Sequence, residues 1–158
     1  MTGHTASTVR VLLIVDACNR SVAGPVSDLD LARLLYFVDA FSELWGLRPL
    51  DPLRLKSAEP RSLMARRSLD RLVLGGVLEP IDVSVVSEPR PHVSARYRVV
   101  ADRHGPIIKA LRATDSGRRE IELVDEVVYA SAALLDGSLD EAIRLDAGHV
   151  DGRLGPND

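Results

Sequence analysis

The chain has one cysteine, Cys18, in 158 residues. A single thiol excludes an internal disulfide and any metal site built from several thiolates, and it fits a reducing cytoplasm. Aromatic residues make up only 4%, so the core must be aliphatic. The same scarcity removes the aromatic platforms on which single-stranded bases stack. The longest early apolar run, residues 11–15, is too short to span a bilayer, and the opening MTGHTASTVR lacks the regions of a secretory leader. We expect a cytoplasmic protein with no membrane partner. No GxxxxGK[ST], GxGxxG or GxSxG pattern occurs, so there is no nucleotide cradle and no nucleophile elbow. His4, His92, His104 and His149 are scattered over expected loops and fit no HExxH-like ligand pattern. Cys18 falls within an apolar run and reads as a buried small residue, not a nucleophile. Asp125-Glu126 and Asp140-Glu141 fit solvated faces better than a catalytic carboxylate pair. We expect no catalytic residue, no metal ligand and no cofactor, and hence a protein that is not an enzyme.

What is present describes a domain of ordinary size. Hydrophobic residues are 46% and charged residues 27%, enough for a real core in one domain with a small appended piece. The net charge of −3 hides a split. Residues 115–158 hold eleven acidic and four basic residues, a balance of −7, and the rest of the chain carries +4. A mildly basic front and an acidic back fit one polar contact face and an oppositely charged end.

Periodicity and punctuation set the expected elements. Residues 8–19 read as a helix, although the run 11–15 alone also suits a strand. Residues 21–27 read as a turn around Gly24-Pro25. Residues 29–45 form the clearest helix, with Leu31, Leu34, Leu35, Val38, Phe41 and Trp45 on one face and Gly46 beyond its end. Residues 47–61 contain three prolines and read as a connector with one helical turn at 53–57. A helix capped by Ser62 over 63–74 has Ala65, Leu69, Leu72 and Val73 inside and stops at Gly75-Gly76, after which Val77-Leu78 folds back on the core.

Residues 81–86 (IDVSVV) alternate like a half-buried strand, and 95–100 (ARYRVV) form the return strand. The loop between them, 87–94 (SEPRPHVS), carries Pro89 and Pro91, which cannot donate to a ladder. Residues 101–105 turn into a helix over 106–113 with Pro106 at its first position. Residues 114–117 break the chain. A long helix over 118–135 places Ile121, Val124, Val127, Val128, Ser131, Leu134 and Leu135 on one face, and Gly137 closes it. Ser138 caps a short helix at 139–145, and 146–158 is an acidic tail. The fold class is mostly α with a small β-hairpin (α+β). We expect a winged helix-turn-helix domain over 1–114, a C-terminal helical interaction segment over 115–145 packed on it, and the tail.

The stretch 62–100 carries the candidate function. Arg67 and Arg71 are four apart and share a helix face, from which they can reach phosphates or guanine edges. The competing reading is a solvated face on which Arg66 pairs with Asp70, worth ~0.2–0.5 kcal/mol. Against base reading, the helix lacks the usual Asn, Gln, Ser and Thr variety. Arg90, His92, Arg96 and Arg98 on the wing suit a nucleic-acid backbone or an acidic partner, and Arg96 and Arg98 share a strand face. Val124, Val128 and Leu135 mark the long helix as an interface candidate, either for a second copy of the chain or for another subunit.

The run LDLARLLYFVDAF, a proline-broken connector, RRSLDRLVLGGVLEP and then a tyrosine-bearing strand resemble the middle component of bacterial ABC-three-component systems. EAIRLDAGHVDGRLGP extends the resemblance, which covers residues 29–156. It implies a small winged-helix-like subunit that works beside an SMC- or ABC-like ATPase or a kleisin-like protein in defence against phage and plasmids. The family offers no catalytic residues to carry over. It implies a non-enzymatic bridging subunit whose basic helix and wing contact protein, double-stranded DNA or both. A dimeric winged-helix transcription regulator is the alternative.

Overall fold

The computed structural model describes residues 3–21, 24–51, 63–87 and 90–132. The fold is mostly helical with a small antiparallel sheet. α1 (Gly3–Arg20) is followed by β1 (Val26–Ser27), α2 (Asp28–Phe41) and a 3₁₀ turn (Ser42–Trp45). Then come α3 (Leu63–Leu74), β2 (Leu78–Val86), β3 (His92–Val99), α4 (Ala101–Arg112) and α5 (Asp115–Ser131). The sheet has three strands in the order β1-β3-β2, not the two of a hairpin. β1 is only two residues long and pairs Val26 with Tyr97 and Ser27 with Arg96.

α1 is the central element. Val11 to Val15, Ala17 and Cys18 are all buried, a run too continuous for a helix with one solvent face. It packs against α2, α3, α5 and β3. The buried residues of α5 (Leu123, Val124, Val127 and Val128) belong to the same core cluster as those of α1 and α2.

The helix ends follow local chemistry. Ser27 caps α2 by accepting the Asp30 N–H, and Gly46 closes the 3₁₀ turn. α3 ends in a Schellman turn: Val77 N–H donates to Leu72 O and Gly76 N–H to Val73 O, with Gly76 at φ +71, a conformation glycine adopts without a Cβ clash. Leu78 is buried directly after this turn.

Several boundaries differ from the sequence reading: α1 begins at Gly3, α2 gives way to the 3₁₀ turn after Phe41, and β2 begins at Leu78. β3 begins at His92, because Val86 pairs with His92, Val85 with Val93 and Ser84 with Ser94. Pro91 therefore lies just outside the ladder, where its missing N–H costs nothing. α4 begins at Ala101, not Pro106, because the Val100 carbonyl accepts from Arg103 and His104 and starts the helix. Pro106 lies inside that helix on an exposed position. α5 begins at Asp115, because Thr114 caps it through the Gly117 N–H. The expected turn at 53–57, the Ser62 cap, the helix at 139–145 and the tail lie outside the described residues.

Candidate functional site

The outward side of α3 is Leu63, Arg66, Arg67, Asp70, Arg71 and Leu74, spaced three and four apart. Ala65, Ser68, Leu69 and Leu72 face inward, and Ser68 Oγ lies 2.8 Å from Ser7 Oγ of α1, which fixes the helix's rotation. Arg66 Nε pairs with Asp70 Oδ1 at 3.3 Å, and its Nη1 lies 4.0 Å from Asp28 Oδ2. No ion pair engages Arg67 or Arg71 among the described residues. The two ends of this face are apolar, with Leu63 67% and Leu74 88% exposed.

The β2–β3 hairpin is less basic than its sequence. Arg98 pairs with Glu79 directly across the ladder. Arg96 donates to Pro25 O at 3.0 Å and lies 3.8 Å from Asp82. Both arginines share an exposed strand face, yet both are engaged. Arg90 is exposed in the loop and makes no side-chain ion pair among the described residues. His92 Nδ1 lies 2.9 Å from the Arg90 carbonyl, which can only accept, so that nitrogen carries the proton of the contact.

The hairpin's apolar residues are the feature the sequence reading missed. Ile81 pairs with Arg96 and Ser84 with Ser94, so β2 carries one extra residue there, with Asp82 at φ 50. Directly paired residues share a sheet face. Ile81, opposite Arg96, therefore lies on the other face from Val85, opposite Val93. The regular alternation read from IDVSVV is broken at this bulge, and the strand is not half-buried to its end. Val83, Val85 and Val93 are 62%, 72% and 57% exposed.

The proposed interface on the last helix needs correction. Val124 and Val128 are buried in the chain's own core, packed with α1. Neither can meet a partner, and Leu135 lies outside the described residues. The outward side of α5 instead carries Tyr129, 84% exposed.

Two buried polar clusters also escaped the sequence reading. Arg10 is buried and joins Asp39 at 2.7 Å and Glu120 at 2.9 Å, with Nη2 also donating to Arg48 O. Burial opposes its charge, but Glu120 and Asp39 outweigh this and raise the guanidinium above its ordinary range. A cation in an otherwise apolar helix is the signal that pointed to such a partner. The second cluster ties α1, α4 and α5. His104 Nε2 lies 3.0 Å from Asp16 Oδ1, and Arg20 donates to Asp16 Oδ2 and Asp125 Oδ1. His104 is therefore a helix residue, not a loop residue. It lines a cavity of about 330 Å³ with Asp16, Arg20, Lys109 and Arg112. Both Asp16 oxygens are engaged, and the lining holds no serine, threonine or cysteine to activate. Cys18 lies in the core, and burial pushes its thiol up to about 12, well away from a thiolate nucleophile.

Of the arginines singled out in the sequence, Arg66 and Arg90 come together on one groove with Leu63 and Val93, Arg67 and Arg71 lie on the outward side of α3 outside that lining, and Arg96 and Arg98 are engaged on the exposed face of the sheet. No helix among the described residues is long and apolar enough to cross a membrane. A scan of protein-family models and searches of curated proteins and of solved structures found no match to this chain.

Proposed function

We propose that the chain is a non-enzymatic winged-helix subunit that docks a larger protein partner through the outer face of α3 and the wing. The order of elements supports the winged-helix reading: helix, short strand, two helices, then two antiparallel strands. So does the strand order β1-β3-β2, in which the first strand closes the hairpin's inner edge. One observation carries the choice of a protein partner. Arg66 and Arg90 share one groove with the exposed Leu29, Leu63 and Val93, and apolar surface of this kind marks protein interfaces. The resemblance to middle components makes a neighbouring SMC- or ABC-like ATPase the partner to test. Coexpression with the adjacent ATPase should yield a stable complex, and Arg67→Glu with Arg71→Glu should abolish it. A folded chain that copurifies with no such neighbour overturns the reading.

A second reading has its own observation. Arg67 and Arg71 stand one turn apart, outward and without ion pairs among the described residues, as duplex phosphate contacts require. A dimeric regulator built on them binds a specific duplex with affinity that falls steeply with salt. Duplex affinity unchanged in the same double variant removes this reading.

A further inference from the structure

A groove of about 940 Å³ runs between the start of α2, the first half of α3 and the wing. Leu31 and Leu69, both buried, belong to its wall, and the exposed Leu29, Leu63 and Val93 stand at its lips. The rim is charged unevenly. Arg66 and Arg90 line it with Asp28, and Arg66 already pairs with Asp70 at 3.3 Å. Asp28 is already engaged, because Ser94 Oγ donates to its Oδ1 at 3.2 Å and Arg66 approaches its Oδ2. Arg90 has no ion-pair partner among the described residues. His92 lies beside it on the same rim.

An apolar trough of this size, with a cation at its mouth that has no ion-pair partner among the described residues, suits an amphipathic ligand. We infer that the groove is a docking site for an amphipathic, acidic helix of a protein partner. Its apolar anchors would lie along Leu29, Leu63 and Val93, and its carboxylates would meet Arg90. The charge complementarity selects the occupant. A basic helix would set like charge against Arg90. The inference rests on the proposed docking function and names the partner's chemistry at that face.

The test uses two synthetic 16-residue helical peptides with identical leucine spacing, one filled with glutamate and one with lysine. Titration of the isotope-labelled full chain, followed by amide NMR shifts, should give saturable changes at Leu29, Leu31, Leu69 and Val93 with the glutamate peptide. The lysine peptide should bind at least ~10-fold more weakly, as a like-charge penalty of about 1.4 kcal/mol or more implies. Val93→Glu and Arg90→Glu are exposed changes that leave the core intact, and each should weaken the glutamate peptide at least ~10-fold. Absent saturation, shifts centred on another face, or equal binding of both peptides overturns the inference. If the ATPase complex forms and is lost on Arg67→Glu with Arg71→Glu while the peptide ignores the groove, the groove reading falls and the docking function stands.

Discussion

Arg10 and Glu120, 110 residues apart in the chain, meet in the core as a two-pronged ion pair, Nε to Oε2 at 2.9 Å and Nη2 to Oε1 at 3.0 Å. Asp39 completes the cluster on the other side of the guanidinium. One cation thus joins α1, α2 and α5 and answers two carboxylates. Arg10→Met leaves both carboxylates buried together and should cost about 3–5 kcal/mol. Glu120→Gln leaves a neutral Arg10–Asp39 pair and should cost clearly less. Urea denaturation of the two variants checks the order, and equal losses would refute the charge argument.

Gly117 is held by a close approach. A Cβ there would lie 2.0 Å from the Leu111 carbonyl oxygen, a backbone atom that cannot rotate away. Gly117→Ala should therefore destabilise the α4–α5 junction by about 1–3 kcal/mol or more. Gly105, inside α4, has open space around the same position. Gly105→Ala should stabilise the fold by about 0.4–1 kcal/mol through the unfolded chain's lost freedom. The opposite signs, read from thermal midpoints, separate packing from propensity.

Cys18 gives a pH prediction. Burial raises its thiol from 9.0 to about 12, with Asp30 adding to the shift. Between these values the unfolded chain loses the proton and the folded chain keeps it. The unfolded state then binds fewer protons, so stability falls as pH rises. The contribution is complete below pH 9, and above it stability declines at ~1.4 kcal/mol per pH unit until about pH 12. Cys18→Ala should show a shallower alkaline decline in chemical denaturation. In the native protein at pH 8, a disulfide reagent should label Cys18 far more slowly than in urea.

Much of the helical framework was legible, and the reasons are local. α2 and α3 repeat their apolar residues at three and four positions, and Gly46 and Gly76 end them with chain-reversing turns. β1 was not legible, because two residues after Gly24-Pro25 carry no alternation and pair only when Tyr97 and Arg96 arrive on the central strand β3, far along the chain. Pro106 misled because a proline favours the first helical position, whereas the Val100 carbonyl at the end of β3 started the helix five residues earlier. The stripe of Val124 and Val128 was visible, but a stripe does not say what covers it, and α1 does. At the candidate site the Arg66–Asp70 pairing was legible from its spacing. The pairing of Arg98 with Glu79 depended on a register the sequence leaves open.

The arginines should therefore divide in function. Arg96→Ala with Arg98→Ala removes exposed ion pairs, each worth ~0.2–1 kcal/mol to the fold, and should leave partner capture within about twofold of wild type. Arg67→Glu with Arg71→Glu should abolish capture without lowering the thermal midpoint, because both side chains point outward and neither makes an ion pair among the described residues. Parallel copurification and melting of the two double variants reads both effects. Loss of capture in the Arg96/Arg98 variant would move the contact face onto the strands.

Asp82 tests how the wing is aimed. Its φ of 50 is a left-handed conformation that asparagine, aspartate and glycine tolerate and β-branched residues do not. Asp82→Gly should keep stability within about 0.5 kcal/mol, since the exposed Arg96 contact at 3.8 Å contributes little. Asp82→Val should cost about 1–3 kcal/mol or force the extra residue out of the ladder. The bulge sets Ile81 and Val85 on opposite faces, so a wing that escapes the strain by slipping one residue carries Val85 to the other face. Amide NMR contacts between Val85 and Val93 report this directly. They should persist in Asp82→Gly and weaken in Asp82→Val, with the Leu–Glu peptide's affinity falling in step. A valine variant that keeps both the stability and the Val85–Val93 contacts would show that the bulge does not set the wing's register.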